Sequence, residues 1–198
     1  MTRWLQWLVL LGFGLNAAAA AFPSAESVVR EATAEFYDAL NSRGSELPLE
    51  EKELYRLVDE TLMPHADFER MSRLVIGKYW NQASSEQRAD FTKEFKRLLI
   101  RTYAVALQKA SPETIIYLPA RESARPDRSV VRTEVRVTGA EPLPVYYYMH
   151  SRSGRWLVYD VRIEGISLVV NYRASFGTEI SKIGIQGLID NIKQKNRQ

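Results

Sequence analysis

Between Trp156 and Phe176 the spacing of apolar residues changes from two to three and four, and that change constrains the fold more than any other feature of the chain. The stretch reads WLVYDVRIEGISLVVNYRASF. Its first half has the β-branched and aromatic content of a strand. Strict alternation puts Leu157, Tyr159, Val161 and Ile163 on one side, and Trp156 and Val158 on the other with Asp160 and Arg162. Neither side is cleanly polar. After Glu164-Gly165, Val169, Tyr172, Phe176, Ile180 and Ile183 recur as a helical stripe. A nearly two-sided apolar strand thus runs directly into a helix with its own apolar face.

The same change of period divides the rest of the chain. Upstream, spacing and end signals predict helices over Ser24 to Asn41, with Gly44 beyond the end, and over Leu49 to Leu62, stopped by Pro64. A third helix, DFERMSRLVIGKYW, is capped by Asp67. A long fourth runs through SSEQRADFTKEFKRLLIRTYAVALQKA, where Ser84 and Gln87 have capping-box spacing. From Pro112 the period is two. Strands are predicted at Ile115 to Leu118, around Val131 to Val137, at Val145 to Met149 and from Trp156, with turns at Gly139 to Pro142 and Ser153-Gly154. Such short connections imply an antiparallel meander. Two closing helices, Ser167 to Ile183 and Ile185 to about Lys195, are separated at Gly184. The expected class is α+β: a four-stranded antiparallel curved sheet wrapped by N-terminal and C-terminal helices.

The 198 residues suit one domain with a real core, and 45% hydrophobic and 26% charged residues are those of an ordinary globule. A net charge of +3, without a cluster of cations along one element, argues against a nucleic-acid partner. The opening MTRWLQWLVLLGFGLNAAAAAF has a cation at Arg3, an apolar run from Trp4 to Leu15 and small residues around Ala17 to Ala21. It reads as a cleaved signal peptide over residues 1–21, followed by one domain over 22–198. The apolar run is short for a membrane anchor. Export is therefore expected. The absence of cysteine removes disulfides, thiolate metal sites and thiol nucleophiles together.

Catalytic signals are sparse. His65 and His150 lack partners at metal-ligand spacing, and no serine sits in a G-x-S-x-G context. Asp160, a carboxylate within an apolar strand, reads either as a desolvated general base or as a structural carboxylate, paired to a nearby arginine or capping backbone donors at a helix start. The run Tyr146-Tyr147-Tyr148 lacks the interleaved cations of a base-stacking platform. Apolar faces dominate instead. Either they satisfy one another in a closed core, or the helices and sheet leave a cavity for a hydrophobic ligand. The pattern accommodates both.

Two blocks carry a resemblance that chooses between them. Pro64 to Leu107 contains, in order, Pro64, Asp67-Phe68, Met71-Ser72, Val75-x-Gly77-x-Tyr79-Trp80, Gln82, Phe91-x-x-x-Phe95 and Tyr103. The second block supplies Trp156, Asp160-Val161, Glu164-Gly165-x-Ser167-Leu168, Tyr172-Arg173 and Phe176. This series resembles the MlaC, or toluene-tolerance, family of periplasmic phospholipid carriers, from about Glu26 to Lys195. The resemblance implies an apolar pocket for lipid tails between sheet and helices, and a monomer without cofactor, metal or catalytic residue. It also implies traffic between an inner-membrane ABC transporter complex containing MlaD and an outer-membrane MlaA–porin complex, which maintains outer-membrane lipid asymmetry. With that pocket in view, the candidate lining residues are Val135, Val137, Val145, Tyr147, Met149, Tyr159 and Val161 on the sheet. On the helices they are Tyr79, Leu99, Tyr103, Val169 and Phe176. Two alternatives stand beside this reading: a small-molecule enzyme with Asp160 as general base, and a ligand-free periplasmic adaptor.

Overall fold

The computed structural model describes residues 23–43, 49–109, 114–119, 124–136 and 141–197. The proposed signal segment 1–21, Gly44, Val137 and the turn residues at Gly139 lie outside the described residues. Four helices come first: α1 (Ala25–Asn41), α2 (Glu51–Thr61), α3 (Phe68–Ile76) and α4 (Ser85–Lys109). A sheet follows, from β1 (Ile115–Tyr117), β2 (Arg128–Val135), β3 (Leu143–Arg152) and β4 (Arg155–Ile163) to β5 (Ile166–Ser167). The last helix is α5 (Leu168–Lys195). All strands pair antiparallel in the order β1-β2-β3-β4-β5. The class is α+β with a meander, as the spacing predicts. None of the helices among the described residues is long and apolar enough to cross a membrane.

The end signals act as read. Ser84 and Gln87 exchange hydrogen bonds of 3.1 Å in both directions, closing the capping box of α4. The Asp67 carboxylate accepts from the Arg70 amide at 2.9 Å and so caps α3. Its other oxygen lies 2.8 Å from Nε2 of His150 on β3, and its own amide donates to the Val158 carbonyl of β4 at 2.8 Å. One aspartate therefore fixes the start of a helix to two strands.

Two local differences from the expectation have physical causes. The third helix does not run through to Trp80. It stops at Ile76 because Gly77 takes φ +52, and a 3₁₀ turn over Gly77–Asn81 replaces its last turn. The sheet has a fifth strand: Glu164 and Gly165 both take positive φ, 51 and 80, the conformation of a tight two-residue hairpin. It folds Ile166 back against Ile163, and a strand of two residues is too short for alternation to reveal. The expected break in the last helix is present: at Gly184, φ 74 and ψ 173 kink α5 into two segments.

The core lies in three packed clusters. Helices α3, α4 and α5 enclose the first, around Phe91 and Phe95, whose rings stack at 5.6 Å, with Phe176 edge-on to both at 5.9 and 6.0 Å. Helices α1, α2 and α4 share the second, around Phe36, Leu54 and Leu57. The third joins Ala25, Val28 and Val29 of α1 to Val131 and Met149 of the sheet.

Candidate functional site

The strand register decides which side chains share the space under α1. Ladder partners put Val135 with Ile115, Val131 and Val161 with Tyr147, and Val145 with Thr133 and Ile163. Since cross-strand partners point to the same side, one sheet face carries Val131, Thr133, Val135, Val145, Tyr147 and Val161. Met149 pairs with Ser129 and Val158 on that face and is fully buried. The only polar side chain fully buried there among the described residues is Thr133, whose hydroxyl donates to the Val145 carbonyl at 2.9 Å.

Tyr159 leaves this face. The ladder pairs Tyr148 with Asp160 but Met149 with Val158, so Tyr159 is the extra residue of a bulge. Its ring meets His150 edge-on at 5.8 Å and stands 5.0 and 5.2 Å from the guanidinium carbons of Arg70 and Arg128. Strict alternation groups Tyr159 with Val161; the bulge puts Val158 there instead. The sequence-predicted lining residues accordingly fall into two groups. Val135, Val145, Tyr147, Met149 and Val161 lie on the sheet face toward α1. Leu99, Val169 and Phe176 are buried in the helical cluster, with Tyr79, Tyr103 and Tyr159 half-buried against it. Val137 is not among the described residues.

Phenol groups lie beside the α1-facing side of the sheet. Burial, reinforced by the nearby Tyr117 hydroxyl, pushes the pKa of both Tyr37 and Tyr147 up to about 12. Tyr117 is itself raised by burial, against the lowering effects of Thr33 and Arg30. Tyr37, Tyr117 and Tyr147 come from α1, β1 and β3, so the sheet and first helix bring three phenols near one another, beside Thr33, Thr133 and Arg30. Tyr147 is half-buried, and burial is the largest cause of its raised pKa. Sequence reasoning missed Tyr37 and Tyr117. The alternation of β1 could have pointed to Tyr117, whereas Tyr37 sits one residue beyond the stripe position Phe36 and gave no signal.

Asp160 is spent on structure. Its Oδ2 accepts the Ser167 hydroxyl at 2.6 Å and its Oδ1 accepts the Val169 amide at 3.1 Å. Ser167 in turn accepts the Val170 amide at 3.0 Å as the N-cap of α5. Both carboxylate oxygens hold the strand-to-helix corner, which is the capping reading. Two open grooves lie outside this interior. One of about 480 Å³ runs between α3 and α5 along Tyr79, Gly77 and Arg173. The other, about 680 Å³, is floored by Met63, Phe68 and Trp80 and rimmed by Arg88, Lys93 and Lys96.

Comparisons with known proteins agree on one lineage. The family model described as MlaC protein matches residues 30–194. The intermembrane phospholipid transport system binding protein MlaC of Haemophilus influenzae is 26% identical over 98% of this chain and 94% of its own length. The toluene tolerance protein ttg2D of Pseudomonas putida is 27% identical over 89% of this chain and 81% of its own. A solved phospholipid-binding protein from Ralstonia solanacearum, in complex with a phospholipid, has 32% sequence identity and a TM-score of 0.80. The likeness covers 89% of this chain and 98% of that one.

Proposed function

The chain belongs to the MlaC family, and on that premise we propose that it is a periplasmic carrier that holds the acyl chains of a phospholipid and moves the lipid between membranes. The observation that carries this reading is the likeness to a phospholipid-bound protein over 98% of that protein's chain. The apolar sheet face under α1 supports the same conclusion. In this reading residues 1–21 are a signal peptide removed on export, and 22–198 form one lipid-binding domain. The tails rest against Val135, Val137, Val145, Tyr147, Met149 and Val161. Tyr79, Leu99, Tyr103, Tyr159, Val169 and Phe176, which pack in the helical cluster rather than on that sheet face, are the remaining candidates for lipid contact. The carrier exchanges lipid with an inner-membrane complex containing MlaD and an outer-membrane complex containing MlaA.

The physical demand is simple. Exposing acyl chains to water costs about 0.8 kcal/mol per methylene, so a lipid with roughly thirty of them does not cross an aqueous space unaided. A carrier needs a pocket about as apolar as a bilayer, so that loading and release both stay near balance. It needs no catalytic group, and Asp160 is engaged at both oxygens.

Mass spectrometry of an organic extract tests the proposal, using mature protein purified from a periplasm without detergent. Stoichiometric phospholipid is expected. A clean extract, together with failure of the folded protein to take up labelled phospholipid from vesicles, would overturn the carrier reading in favour of a closed-core adaptor.

A further inference from the structure

The arginines of this chain are not evenly spread. Arg152 and Arg155 are direct ladder partners across the tight Ser153-Gly154 turn, and both are exposed. Like charges placed opposite one another weaken a hairpin, so this pairing works against the stability of the strand end it closes. Arg128 and His150 form a ladder pair two residues further in, on the same face. Arg70 of α3 joins from above, its guanidinium and that of Arg128 both within about 5 Å of the Tyr159 ring centre. Arg125 lies on the turn before β2, paired with Asp127.

Counter-charge here is short. Asp67 is occupied by His150 and the Arg70 amide, and Asp127 is shared between Arg125 and Arg128. Among the described residues Arg152 makes no ion pair, and Arg155 reaches only the Pro64 carbonyl, at 3.4 Å. The buried Nε of Arg70 has no acceptor. One feature thus stays unresolved within the chain: opposed, exposed cations on a tight hairpin.

We propose that this end of the sheet, centred on Arg70, Arg128, Arg152 and Arg155, is a docking surface for an acidic patch on a partner protein. Planar guanidinium forks held on a hairpin and a capped helix suit bidentate recognition of carboxylates. A membrane surface fits less well. Among the described residues the exposed large apolar side chains, Ile166, Val170 and Ile183, lie on β5 and α5, and none of them is in this patch to insert among lipids. The surface adds to the carrier reading the means by which the protein meets a partner, and its test separates the two.

The experiment measures binding of the mature protein to a dodeca-glutamate peptide at low and physiological salt, with phosphatidylglycerol vesicles as a second probe. The double variant Arg152→Glu/Arg155→Glu is compared with Lys52→Glu/Lys182→Glu, an equal charge change at exposed positions on α2 and α5. Salt-sensitive peptide binding that falls on the order of tenfold in the arginine variant, but much less in the lysine variant, is expected. Arg152→Glu alone should raise the thermal midpoint, by turning a like-charge pair into an ion pair, while still weakening the peptide. Equal loss in both double variants would reduce the effect to net charge and overturn the proposal. So would arginine-dependent binding to vesicles without peptide binding, which would assign the surface to membranes. Co-purified lipid should stay unchanged in every variant, whereas its absence from the unmodified protein would count against the carrier reading alone.

Discussion

Ser167 donates its hydroxyl to Asp160 at 2.6 Å, and through that bond the end of β4 dictates where α5 begins. The carboxylate also accepts the Val169 amide, and Ser167 accepts the Val170 amide, so two first-turn donors are satisfied by two side chains bonded to each other. Asp160→Asn should keep one of these bonds and disturb the other. We expect a loss of about 1–3 kcal/mol in urea-induced unfolding, with phospholipid still present in extracts of the folded variant. An enzyme using Asp160 as general base would instead lose its activity with stability barely altered.

The lining is best tested where a side chain borders space rather than fills the core. Met149 is fully buried against α1, so Met149→Ala should cost about 2–5 kcal/mol through lost contacts and a cavity. Val161 shares its face but is half-buried. Val161→Arg should leave the far-ultraviolet circular dichroism native while abolishing co-purified phospholipid. Arg136→Ala should change neither. Full lipid load in a folded Val161→Arg protein would remove Val161 from the lining.

Tyr37 and Tyr147 give stability a defined alkaline limit. Their phenols titrate near 12 in the folded chain, chiefly because of burial, against an ordinary value of 10.0. Above the ordinary value the unfolded chain has lost protons that the folded chain retains, so stability declines as pH rises. It should hold fully below about pH 10 and fall between pH 10 and 12. Denaturant midpoints across that range check this, with native phenolate absorbance lagging behind that of the unfolded chain. Tyr147→Phe should flatten the decline.

Gly184 has open space where a Cβ would stand, yet its φ of 74 and ψ of 173 belong to a region only glycine adopts readily. Gly184→Ala should therefore cost about 1–3 kcal/mol by strain alone. The kink seats Leu188, Ile189 and Ile192 in the cluster of α3 and α4, so the thermal midpoint should fall. An unchanged midpoint would show that the last turns find the core without the kink.

The sequence by itself determined the order of the α-helices and of β1 to β4, the helix starts at Ser84, Asp67 and Ser167, the break at Gly184, and the meander. Each rests on a signal within one or two turns of chain: a cap, a period, or a residue free to take positive φ. The family followed from ordered residues in two blocks, which local spacing alone did not interpret. Only the tertiary structure decided which way Tyr159 faces. A single inserted residue opposite Tyr148 and Met149 shifts every side chain before it to the other side, and alternation read along one strand cannot register a mismatch with its partner. The meeting of Tyr37, Tyr117 and Tyr147 was likewise invisible, because it joins α1, β1 and β3 across long stretches of chain. The gathering of Arg70 with Arg128, Arg152 and Arg155 has the same cause: charges scattered along the sequence become neighbours only once strand register and helix docking bring their backbones together.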